Sequence, residues 1–188
     1  MAMTAAETAK SIISKALAVL NDVSGIEAQY GIASAEGSSK GDIILSGNQF
    51  FINGGGIVIW YDGKTQWSYT EHTGEVNITE PTEEELAEIN PLAILNSDPD
   101  IYSLKLKKHN KSRYDVELKD KSGDLSIAKA VVTISADDWI PTGAVVETSS
   151  GEKYALLLKN VKKLKNISPD TFRFNPKTYP DVDVIDLR

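Results

Sequence analysis

The chain has 188 residues, of which 41% are hydrophobic and 25% charged, with a formal net charge of -7 and a pI near 4.9. A chain of this length buries about 70% of its unfolded surface, so it needs no metal or disulfide to hold a core, and one domain over 1–188 is expected. The negative balance disfavours phosphate backbones and anionic lipid surfaces as partners. The absence of cysteine excludes disulfides, thiolate zinc sites and thiol catalysis. No run reaches the roughly 18 apolar residues of a membrane span, and the start "MAMTAAETAK" has no basic and apolar leader pattern.

In chain order, Ile12, Ile13, Ala16, Leu17, Leu20 and Val23 recur at helical spacing, which predicts an amphipathic helix over 4–23, with Thr4 and Glu7 as a capping box. From Ile26 the period becomes two. Strands are expected at 26–35, 40–46, 49–53, 57–62, 65–70 and 75–79, separated by "EGSSKG", "SGN", "NGGG", "DGK" and "HTG". Connections this short make an antiparallel meander. The segment "EPTEEELAEINPLAILNSDPD" reads as two short helices, 83–89 and 91–96, with Thr82 as cap and Pro91 dividing them. A second meander follows at 102–109, 113–119, 126–135, 140–149 and 152–161, and "ISPDTFRFNP" suggests a short strand after the Pro169 turn.

About 11 antiparallel strands in one sheet must curl. The fold class is therefore α+β: an incomplete, curled antiparallel β-barrel with an N-terminal helix and a mid-chain helical excursion covering its mouth. Such an interior is either packed solid or kept for a ligand.

No catalytic constellation assembles, and the chain reads as a non-enzyme. His72 and His109 both lie beside turn residues, where a solvated imidazole is the plainer reading. "NGGG" lacks the helix and the Lys-Ser/Thr pair of a phosphate cradle. "EEE" at 83–85 is a charged first helical turn, and "KNVKKLKN" at 159–166 is a solvated strand end or a contact for lipid phosphates or an acidic partner. No cofactor or metal is implied.

The positive signal is apolar surface on strands. A two-residue turn at Asp62-Gly63 or Gly63-Lys64 places Val58, Trp60, Trp67 and Tyr69 on one hairpin face. A three-residue loop at 62–64 would instead pair Ile57, Ile59 and Tyr61 with Trp67 and Tyr69. Ile43 and Leu45 share a face, as do Phe50 and Ile52. Candidate residues lining a lipid-binding interior are Ile13, Leu17, Leu20, Ile43, Leu45, Phe50, Ile52, Trp60, Trp67, Tyr69, Leu92 and Leu95. Ordinary core packing is the competing reading for such stripes.

The order of "KGDIILSGNQFFI", "WYDGKTQWSY", "EVNI", "NPLAIL" and "FRFNPKTYPDVDVIDLR" resembles the LolA-like periplasmic carriers of outer-membrane lipoproteins, over nearly the full chain. The D-G-K-T-x-W-x-Y hairpin together with the "DVDVID" ending carries most of the resemblance. It implies a hydrophobic cavity for lipoprotein acyl chains, a periplasmic location with a leader removed, and a monomer without a stable membrane anchor. The implied partners are acylated lipoproteins, an inner-membrane release complex and an outer-membrane acceptor, with no nucleic acid. A periplasmic sensor or other amphiphile-binding module on the same fold is the alternative, and a hydrolase is a third, weaker reading. The family's P-G-x-F-R segment, whose Arg ties barrel to lid, corresponds here to "SGNQFFINGGG", with Phe51 where the Arg would stand.

Overall fold

The computed structural model describes residues 8–188. The first helix, α1 (Ala9–Asp22), begins at a capping box: Thr8 Oγ1 accepts from the Ser11 amide at 3.1 Å, and Ser11 Oγ accepts from the Thr8 amide at 3.2 Å. The expected box at Thr4 and Glu7 lies outside the described residues. Ile12, Ile13 and Ala16 form the buried stripe of α1.

Six strands follow: β1 (Gly25–Ser34), β2 (Gly37–Ser46), β3 (Gln49–Gly54), β4 (Ile57–Tyr61), β5 (Gln66–Thr70) and β6 (Glu75–Thr79). The helical excursion consists of α2 (Glu83–Ile89) and 3₁₀ segments at Pro91–Asn96 and Pro99–Ile101. Glu83 to Glu85 fill the first turn of α2, where its dipole favours carboxylates, and Thr82 caps it. The second meander is β7 (Tyr102–His109), β8 (Arg113–Asp120), β9 (Ile127–Ser135), β10 (Pro141–Thr148) and β11 (Lys153–Leu164).

With a short C-terminal strand, β12 (Asp183–Asp186), all strands join one twelve-stranded sheet in the order β12-β6-β5-β4-β3-β2-β1-β11-β10-β9-β8-β7. The two meanders meet at a seam, where β1 pairs antiparallel with β11 and Tyr30 lies opposite Leu158. The sheet curls without closing, because β7 and β12 remain as edges. Two glycines let it bend. A Cβ on Gly41 would stand 2.1 Å from the Asn53 carbonyl oxygen, and one on Gly54 would stand 2.3 Å from that of Lys40. Only glycine allows β2 and β3 to approach this closely.

The tail differs from expectation. The short strand expected within "ISPDTFRFNP" does not form; Pro169–Phe172 make a 3₁₀ turn capped by Ser168, whose Oγ accepts from the Asp170 amide. Pro169 suits the first position of that turn, and Pro176 has no amide to give a ladder. The added strand, β12 (Asp183–Asp186), lies further on and pairs parallel to β6, with Val184 opposite Val76.

The main core lies on the concave face. Ile12, Ile13 and Ala16 of α1 meet Ile26, Ile43, Phe50 and Ile52 from one meander and Val116, Val132, Ile134, Val146 and Leu156 from the other. α1 packs on β1, β7 and β8, while the 91–96 segment packs on β10 and β11.

Candidate functional site

The β4–β5 hairpin decides which aromatics face the interior. The Asp62 amide donates to the Thr65 carbonyl at 3.2 Å, so the turn is Gly63-Lys64, with Gly63 at φ +99°. Asp62 Oδ1 accepts from the Lys64 and Thr65 amides at 3.1 and 2.9 Å. Trp60 therefore pairs with Trp67 and Val58 with Tyr69, which is one of the two expected registers.

The neighbouring hairpin corrects the rest. Phe50 pairs with Tyr61 and Ile52 with Ile59, so the concave face carries Leu45, Phe50, Ile52, Ile59 and Tyr61. Trp60, Trp67 and Tyr69 stand on the opposite, convex face and do not share an interior with Phe50 and Ile52. The tail covers Trp60 and Tyr69. Trp60 meets Phe174 at 5.6 Å and Tyr179 at 5.5 Å between ring centroids, and Tyr69 meets Tyr179 at 4.9 Å. Phe172 is 1% exposed in the 3₁₀ turn that packs on β3 and β4. Arg173 pins this cover to the hairpin, its Nη2 lying 3.2 Å from Asp62 Oδ2.

Apolar cavities lie between the concave face and its helical cover at two places. The larger, about 300 Å³, lies beneath α2, between Phe50 and Tyr61 of the sheet and Leu86, Ala87, Ala93 and Ile94 of the helical cover. Tyr102, Leu125 and Ile127 close its far side, and Asn48, Glu83, Asn96, Ser97 and Asp98 supply its polar groups. The smaller, about 60 Å³, lies between the C-terminal half of α1 and the 91–96 segment. Of the residues singled out from sequence, Leu17, Leu20, Leu45, Leu92 and Leu95 line the smaller cavity and Phe50 the larger. Ile13, Ile43 and Ile52 are buried in the concave core and line neither. Sequence reasoning missed Tyr61, Leu86, Ile94, Tyr102 and Ile127. Chaining the registers of two successive hairpins would have found Tyr61, since "NGGG" sets β3 against β4.

The cover is held mainly by apolar burial of Leu92, Ile94 and Leu95, with few polar ties. Asn90 caps the 91–96 segment through Leu92, Ser150 Oγ donates to Glu84 Oε1 at 2.9 Å, and Lys10 Nζ lies 3.3 Å from Asp100 Oδ1. Phe51 takes no part. It lies on the convex face, 6.0 Å from the Trp60 ring.

Burial pushes the Tyr102 hydroxyl pKa up, a hydrogen bond with Ser97 opposes this, and the Glu83 and Asp120 carboxylates add to it. At the opposite rim, burial and then the carboxylates of Glu36, Glu152 and Glu85 raise the pKa of Glu88 on α2. Burial and the carboxylates of Glu88 and Glu152 push Tyr154 beside it up to about 12. Among the described residues, no group of three or more His, Cys, Asp or Glu side chains is placed to hold a metal. Nor is any helix among them long and apolar enough to cross a membrane.

A family model described as outer membrane lipoprotein carrier protein LolA matches residues 1–149, from α1 through the end of β10. The chain belongs to the LolA family. The matched stretch includes every residue lining the two concave cavities. Among solved structures, an uncharacterized conserved protein from Thermus thermophilus superposes with a TM-score of 0.60 at 14% identity, covering 95% of this chain and 98% of that one. A DUF1329 family protein from Desulfovibrio piger gives 0.50 at 10% identity, with 89% and 98% covered. A LolA superfamily protein from Nitrosomonas europaea gives 0.49 at 14%, with 90% and 99% covered. At such identities the first two likenesses speak for the fold. No curated protein sequence matches the chain.

Proposed function

We propose that this LolA-family protein is a periplasmic carrier that shields lipoprotein acyl chains and delivers them from the inner to the outer membrane. The observation that carries the reading is the apolar cavity of about 300 Å³ between α2 and the concave face of an unclosed barrel. Each buried CH₂ of an acyl chain is worth about 0.8 kcal/mol, so a free lipoprotein stays in its membrane or aggregates unless a protein supplies apolar wall. The cavity volume is at the lower end of ligand pockets. Full loading therefore requires the α2 and 91–96 cover to lift, and its few polar ties allow that. An inner-membrane release complex hands over the cargo and an outer-membrane acceptor receives it, with the carrier acting as a single-domain monomer.

The test is incubation of the purified protein with inner-membrane vesicles loaded with lipoprotein and an energised release complex. Cargo is expected in the soluble fraction in a 1:1 complex with the protein. If the cargo stays in the pellet while the folded protein stays in solution, the carrier reading fails.

A further inference from the structure

We propose that the cavity beneath α2 selects amphiphiles whose head is cationic or a neutral hydrogen-bond donor, and turns away those with an anionic head. This rests on the apolar-ligand reading above and names the ligand class it would take.

The charged side chains lining the cavity are Glu83 and Asp98, and no Lys or Arg lines it. Among the described residues Glu83 makes no hydrogen bond or ion pair, while Asp98 uses only Oδ1, which accepts from the Asp100 amide at 2.9 Å. Two cations are held at Asp100: Lys10 Nζ pairs with its Oδ1, and Lys121 Nζ donates to its carbonyl at 2.6 Å. No Lys or Arg occurs from Thr65 to Leu104, so neither the cover nor β5 and β6 brings a compensating charge.

Gln66, opposite Tyr61 on the concave face, does not itself line the cavity. The acceptors a head group would meet there are the Glu83 carboxylate and Oδ2 of Asp98, and a head bearing N–H or O–H would donate to them. An anionic head brings a further acceptor into a site already populated by acceptors. It would also meet the like charge of Glu83 and Asp98, which are both exposed, so that added salt should weaken the repulsion.

The experiment is displacement of a neutral, environment-sensitive apolar dye from the full chain by three twelve-carbon amphiphiles below their micelle concentrations. These are dodecyltrimethylammonium, dodecyl maltoside and dodecyl sulfate. The cation is expected to displace the dye at a concentration on the order of tenfold below the sulfate, with the maltoside between them. The double variant Glu83→Gln with Asp98→Asn should bring the cation and the sulfate close to parity, each displacement being read relative to that variant's own dye affinity. Asn keeps the capping oxygen of Asp98, so the fold is retained. A charge-matched pair flanking the β5–β6 turn, Glu71→Gln with Glu75→Gln, should leave the preference intact, which separates the cavity from the overall acidity of the chain. Dye binding with equal or anion-favouring displacement overturns the selectivity and leaves the apolar cavity standing, as does a preference that survives the double variant. Absence of dye binding to the folded protein removes the cavity reading itself.

Discussion

The two faces of the β2–β5 region are both apolar, yet they are finished differently. On the convex face, Trp60, Tyr69, Phe174 and Tyr179 meet at centroid distances of 4.9 to 5.6 Å, and the chain's own tail supplies the partner. On the concave face the walls are mostly aliphatic, the cover is two short helical pieces, and space remains beneath it. Aromatic rings in edge-on and tilted contact fill a surface without leaving voids. Aliphatic walls under a weakly tied cover leave room for a chain that is not their own. In this protein the aromatic cluster marks a face closed by the chain's own tail, and the open space lies on the plainer side.

Four changes would break or sharpen that contrast. Trp60→Ala should be the most damaging, lowering stability by about 3–5 kcal/mol in denaturant unfolding, because it empties the centre of the convex cluster. Where the variant is folded, apolar dye binding should persist, and loss of dye binding in proportion to stability would mean that the faces are not independent. Leu92→Ala should cost less, about 2 kcal/mol, because it already borders a cavity and its neighbours can relax. Unlike Trp60→Ala, it should alter dye affinity in the folded protein, read by titration. Arg173→Ala removes an ion pair whose arginine is 62% exposed, so the loss should stay under about 1 kcal/mol and shrink with added salt.

The smallest effect concerns the cover and pH. The folded state raises the pKa of Glu88 through burial and the carboxylates of Glu36, Glu152 and Glu85, so protonation favours the docked arrangement. That contribution is present below the ordinary Glu value and is lost as pH rises through the raised one. Amide exchange in α2, corrected for intrinsic rates, should therefore slow as pH falls from neutral toward about 5. Glu88→Gln should flatten the dependence; an unchanged pH profile in that variant would assign the effect to other groups.

Most of the strands were legible because turn chemistry punctuates them: Asp62-Gly63-Lys64, Gly55-Gly56 and Gly151 all sit where the chain reverses. The end of α1 was legible from its periodicity and Gly25. The side taken by Trp60 was not. A hairpin register tells which residues share a face, but which face the helices cover depends on the β1–β11 seam and on the tail. Both are contacts between residues far apart in sequence, and local pattern carries no record of them. β12 was missed for a related reason: "DVID" is short, all four of its residues are exposed, and it pairs parallel, without a turn to announce it. In the candidate site, Leu17, Leu20, Leu92 and Leu95 could be placed because helical spacing aims them at a sheet. Tyr102 and Ile127 come from strands of the second meander and reach the cavity only through the curl.

The seam also bears on how the molecule comes to exist. Each meander can close locally through its own short turns, but the twelve-stranded sheet is joined only when β1 meets β11. Contacts between such distant segments slow folding, because much of the chain must be ordered before they form. Until then α1, which packs on β1, β7 and β8, lacks part of its bed. The concave chamber draws its walls from both meanders, and it is thus among the last features to be built.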